Sequence, residues 1–139
     1  MADGFALDVQ KGVRAALVAD EAITSIVSQR VYDEPPQDAV FPYLRFVEIQ
    51  PSAFDTDTTE GAEVSISLEA HSRSASGRVE AVRIVEAVKE ALHRQEASIT
   101  LEGHNLVEMI FQTYSVTRDD DGRGYTAVIV LQAMLEEIA

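Results

Sequence analysis

Three histidines, His71, His93 and His104, are the first candidates for metal binding or proton transfer, and no two of them stand four apart as a helical zinc pair requires. His71 falls on the polar side of a predicted strand, His93 at the end of a predicted helix and His104 beside Gly103 in a turn. Each position suits solvation or a local hydrogen bond. Without cysteine, thiolate metal sites, disulfides and cysteine nucleophiles are excluded. Asp55, Asp57 and Glu60 put three carboxylates in one loop, a loose attraction for a hard cation that nothing in the pattern preorganises. Asp119-Asp120-Asp121-Gly122 opens like a calcium loop, but the twelfth position is Val130 where a bidentate Glu is needed, so a solvated turn is the better reading. The strand-to-helix turn Ser72 to Gly77 lacks the Gly-x-Ser-x-Gly of a nucleophile elbow. Glu63 and Glu69 share a strand face but no cleft that would split their pKa values. The glycines form neither a phosphate loop nor a dinucleotide fingerprint. These residues predict no enzyme, no metal and no cofactor.

Charge narrows the partners. The chain has 139 residues, with 11 Lys and Arg against 24 Asp and Glu, a net charge of −13. Nucleic-acid binding depends on cations that displace counterions from phosphates, and here the cations are few and scattered. Four of them (Arg78, Arg83, Lys89 and Arg94) lie along one predicted helix among Glu80, Glu86 and Glu90, where helix-face pairing such as Glu90–Arg94 accounts for them. A surface this acidic still suits DNA that passes close by and must not stick. The longest apolar run, Ala127 to Leu131, is far too short to span a membrane, and the acidic start with Asp3 and Asp8 is unlike a signal peptide. A soluble intracellular chain is expected.

The apolar pattern supplies the scaffold. Phe5, Val9, Val13, Ala16 and Leu17 recur at three- and four-residue steps, predicting a helix over about 5–19, with a second short turn through Ile23, Ile26 and Val27. Pro35-Pro36 stops the segment after Val31-Tyr32-Asp33. A strand is expected over 43–50, then a long polar loop over 51–62. Val64, Ile66, Leu68 and Ala70 alternate with Glu63, Ser65, Ser67, Glu69 and His71, a strand with one buried and one wet face. Ser76 is a plausible N-cap for a helix from Val79 to Leu92, and Ile99 to Leu101 reads as a short strand. Residues 105–117 and 125–136 form a hairpin about an Asp-Gly turn. Its last strand carries Ala127, Ile129 and Leu131 on one face and Val128, Val130 and Met134 on the other, so both faces call for cover. The expected fold is α+β: a single mixed or antiparallel sheet of four to five strands with two main helices on one face. Two helices cover one face only, so the rest must meet another chain or the chain's own loops. Self-association follows.

The order of these features resembles the tail-completion, or tail-terminator, proteins of long-tailed bacteriophages and phage-like gene transfer agents. The likeness runs from about Phe5 to Leu135. It is carried by Val31-Tyr32-Asp33-x-Pro35-Pro36, by Phe41-Pro42-Tyr43-Leu44 opening a strand, and by the serine-to-glycine entry to a helix at Ser72–Gly77. Leu101-x-Gly103 and the acidic hairpin tip complete it. The family often has an aromatic before that serine; here the place belongs to His71.

The resemblance implies a single domain over residues 1–139 that assembles as a ring, six-membered in the family, at the head-proximal end of the tail tube. Such a ring stops growth of the major tail protein and meets the head's connector or stopper protein, and DNA passes through its lumen. It implies no catalysis, no cofactor and no membrane, with residence in the tail or neck of a phage-like particle and in the bacterial cytoplasm during assembly. Phe54, Asp55, Asp57 and Glu60 are then expected against a neighbouring subunit or the tube. Arg118, Asp120 and Arg123 are expected at the opposite end or a lateral neighbour, and Glu63, Ser65, Ser67 and Glu69 toward the lumen. Three other readings share parts of this pattern: a head-side connector or stopper, a monomeric ferredoxin-like binding module, and a weak metal-dependent hydrolase built on Asp55, Asp57 and Glu60.

Overall fold

A computed structural model describes residues 4–53 and 60–138. Helix α1 (Phe5–Ala19) buries Val9, Val13 and Leu17, the stripe that its spacing predicts. Asp20 ends it and caps α2 (Glu21–Val27), its side chain accepting the Ile23 N–H at 3.1 Å. The two residues of β1 (Val31–Tyr32) lie parallel to β2 (Tyr43–Ala53), which pairs antiparallel with β3 (Gly61–Ser72). Helix α3 (Val79–Leu92) follows, then the long strands β4 (His104–Arg118) and β5 (Tyr125–Glu137). Together they form one sheet in the order β1-β2-β3-β5-β4, antiparallel except for β1. This is the α+β architecture expected, with the helices against one face.

The register explains the burial. Leu44, Phe46, Val64, Ile66, Leu68, Ala127, Ile129, Leu131, Ala133 and Met109 all point to the helices and are buried with the α1 and α3 stripes. Hydrophobic burial of this kind, at about 25 cal/mol per Å², is what holds the layers together. Gly12 marks the closest approach: a Cβ there would stand 2.5 Å from Leu101 Cδ2 and 2.9 Å from the Thr100 carbonyl oxygen. The helix settles onto residues 99–101 because this position has no side chain.

Several local expectations give way. Val31–Tyr32 is a fifth strand and not merely a lead-in to the prolines; Leu44 N–H donates to the Arg30 carbonyl at 2.9 Å and Arg14 Nε to the Val31 carbonyl at 3.2 Å. Strand β2 runs on through Pro51 to Ala53, which proline permits on an edge. Ile99 to Leu101 is not a strand. A single 3₁₀ turn at Glu96–Ser98 precedes it, and buried Ile99 packs beneath α1. Ser76 does not cap α3: its hydroxyl is 2.7 Å from that of Ser74, Gly77 takes a φ of 69°, and Arg78 is the residue before the helix. Arg94 lies beyond the helix end at a φ of 55°, so the helical spacing that would pair it with Glu90 does not hold.

Candidate functional site

The face of the sheet away from the helices carries the polar rows of the strands. Its rows follow from the pairing. Arg45, Glu69, Val128 and Ser115 form one row; Glu48, Ser67, Val130 and Thr113 the next; Gln50, Ser65, Gln132 and Ile110 the third. Glu63, Met134 and Glu108 lie below them. Val128, Val130, Met134 and Ile110 make a half-buried apolar strip along the middle, flanked by polar rows. Among the paired strand residues, Glu48, Glu63, Glu69, Glu108 and Glu136 project on this side, with Arg45 beside Glu69. Glu63, Ser65, Ser67 and Glu69 are all half-exposed here, on one side of one strand. Gln132 Nε2 donates to Glu63 Oε2 at 3.4 Å, and the ring of His71 lies 2.9 Å from Glu69 Oε1.

The remaining sequence candidates sort to two ends. Glu60 sits just before β3, its N–H donating to Glu137 Oε1 at 3.2 Å and its carbonyl accepting the Glu137 N–H at 3.0 Å. Phe54, Asp55 and Asp57 lie outside the described residues. Arg118, Asp120 and Arg123 are exposed at the β4–β5 tip, beside Ser72 at the other end of β3. Twelve residues of strand separate the two ends, roughly 40 Å at the rise of a β-strand. The tip is well braced. Asp119 and Gly124 are joined by a 2.8 Å backbone bond, Gly122 has a φ of 71°, and Arg118 donates to the Gly122 carbonyl at 3.3 Å. Thr126 Oγ1 donates to Asp119 Oδ1 at 2.6 Å and lies 3.3 Å from His71 Nδ1, linking the tip to the open face. Tyr43 stacks on His71 at 4.9 Å, so the histidine fills the space an aromatic would fill in front of Ser72.

The residue that sequence reasoning passed over is Asp8. It is 2 % exposed and accepts three hydrogen bonds: from the Glu102 N–H at 3.0 Å, the Gly103 N–H at 2.9 Å and His104 Nδ1 at 2.7 Å. Phe5 lies against the other side of the imidazole, its ring centroid 4.3 Å away. Burial pushes the Asp8 carboxyl up, but the His104 hydrogen bond and the two backbone N–H groups outweigh it and hold the carboxyl below 3.8. Its signal in the sequence was a carboxylate three residues after Phe5 and four before Gly12, on the helix's apolar side. The cluster fastens α1 to the start of β4. Among the described residues no group of three or more acidic or His side chains is arranged to hold a metal ion, and no helix is long and apolar enough to cross a membrane.

The chain is a helix-backed sheet with an acidic open face. The sequence model described as "Tail completion protein gp17" matches residues 11–136. Among solved structures, a chain from "Virion of native gene transfer agent (GTA) particle" is 23% identical, with a TM-score of 0.85 over 94% of this chain and 96% of that one. No curated protein matches. The class is that of phage tail structural proteins, which is not an enzyme class. Within it, the chain belongs to the tail completion protein gp17 family.

Proposed function

We propose that copies of this chain form a six-membered ring on the head-proximal end of a phage-like tail tube, end its growth and join it to the head connector. The family match over residues 11–136 carries this reading, and the geometry supports it. A ring surface that fits the tube on one side and offers no second tube-like surface on the other stops polymerisation by shape. The open sheet face supplies the lumen: Glu63, Ser65, Ser67 and Glu69 line a wall that repels phosphates, so DNA slides past without binding. Glu60, with Phe54, Asp55 and Asp57 before it in the sequence, contacts the tube or the adjacent subunit. Arg118, Asp120 and Arg123 at the far end meet the connector side or a lateral neighbour. The chain acts as one domain, in the tail or neck of the particle, after assembly in the bacterial cytoplasm.

Electron microscopy of particles assembled without the protein tests this. Uneven, overlong tails detached from heads are expected. Tails of uniform length joined to filled heads would refute the proposal.

A further inference from the structure

Strand β4 is an edge strand, and an edge with bare N–H and carbonyl groups takes up further strands unless something covers it. The residues just after α3 provide that cover. Arg94 N–H donates to the Met109 carbonyl at 2.8 Å, Phe111 N–H donates to His93 Nδ1 at 3.0 Å, and Met109 N–H reaches Glu96 Oε1 at 3.4 Å. Arg94 makes its bond from a left-handed backbone, φ 55°, a conformation that a residue with a Cβ adopts only under constraint. The connection is a strained clasp over three residues of the edge. Past it, bulged at Gln112, the strand continues through exposed Thr113, Tyr114 and Ser115 with no strand on its outer side among the described residues.

An amide N–H only donates, so His93 Nδ1 must present its lone pair, with the ring neutral and its proton on Nε2. A second proton would set N–H against N–H and break the contact. We propose that His93 is a protonation-sensitive latch on the β4 edge: neutral, it closes the clasp at Phe111; protonated, it frees Phe111 N–H and so extends the open stretch of the edge beyond Met109 for a strand of a second copy of this chain. The charges around it are Lys89 and Glu90 on α3, Arg94 in the connection and Glu96 in the 3₁₀ turn. Lys89 Nζ lies 5.7 Å from the Phe111 ring centroid. From Met109 to Val116, β4 adds no charge and one titratable group, Tyr114, 6.1 Å from Phe111 between ring centroids. The occupant follows from the sheet. Among the described residues its other open edge is β2 from Val47 onward, since β1 covers only Leu44 and Arg45. Strands β2 and β4 run in opposite senses, so a second copy turned about an axis along the strands presents β2 to β4 antiparallel, the sense of the more stable ladder. The latch belongs to the single chain and stands whether or not the ring reading holds.

Amide exchange followed by NMR on the intact chain tests it, from about pH 8 to about pH 5, either side of the range in which imidazoles titrate. The Phe111 protection factor should fall about tenfold in the wild type, the effect of losing one hydrogen bond. His93→Asn, whose Oδ1 accepts at every pH, should keep it, and His93→Ala should lack it throughout. Unchanged protection in the wild type, or an equal fall in His93→Asn, would overturn the latch. So would ¹⁵N shifts placing the proton on Nδ1 of the wild type at the higher pH, a measurement that needs no variant. Sedimentation should show added mass at low pH in the wild type and not in His93→Asn; equal behaviour of the two would refute strand addition.

Discussion

Asp8 and His104 lie 96 positions apart in the chain and 2.7 Å apart in the fold, and the carboxylate that joins them is buried. Strand β4 therefore begins where α1 begins, and the long connection after α3 is fixed at both ends. Asp8→Ala would leave two backbone N–H groups and an imidazole without their acceptor. The expected loss is about 2–4 kcal/mol, read as a lower urea midpoint with an unchanged slope. A loss below roughly 0.5 kcal/mol, the scale of an ordinary surface change, would mean the cluster does not hold the fold.

The same carboxylate sets a pH dependence. Its folded pKa is lowered from 3.8, so its contribution is complete above that value and disappears as the pH falls through the lower folded one. Against Asp8→Asn, which does not titrate, the wild type should keep a constant advantage down to about pH 5 and lose it progressively toward about pH 2. An advantage that grows as the pH falls from about 5 toward about 2 would contradict the assigned direction.

Gly12→Ala is expected to destabilise, although alanine is the better helix former by about 1 kcal/mol. The new methyl would press on Leu101, which can turn aside, and on the Thr100 carbonyl, which cannot. A net loss of about 1–3 kcal/mol should appear as a lower Tm. A higher Tm would show that residues 99–101 yield freely.

Reversing charge on the open face tests the lumen. Glu63→Lys with Glu69→Lys changes two half-exposed side chains, at an expected stability cost of no more than about 1 kcal/mol. Particles carrying the variant should assemble with normal tails yet deliver DNA less efficiently, because lysines hold the phosphates they should repel. Unaltered delivery would place this face elsewhere than along the DNA path.

What could be read from the sequence was whatever repeats. Val9, Val13 and Leu17 announced α1; the alternation from Glu63 to Ala70 announced β3 and its two faces; Asp-Gly announced the hairpin. The failures were one-off contacts without a period. Ile99 to Leu101 has the composition of a strand but is held by its fit beneath Gly12, which no local propensity encodes. Ser76 has the chemistry of a cap, and the left-handed Gly77 turned the chain so that Ser74 took the bond instead. Asp8 was invisible because its partners come from the far end of the chain. Of the candidate surface, the polar face of β3 was plain in the pattern, whereas the five glutamates share one side only through strand pairing across β2, β3, β5 and β4.

Strand β3 pairs along its length on both sides, and Glu60 and the Arg118–Arg123 tip lie beyond its opposite ends. Their side chains share no neighbour, and substitutions so far apart have additive effects. On the proposed function, one docking specificity can be retuned while the other stays constant, and a foreign tip could be grafted without redesigning the distant rim.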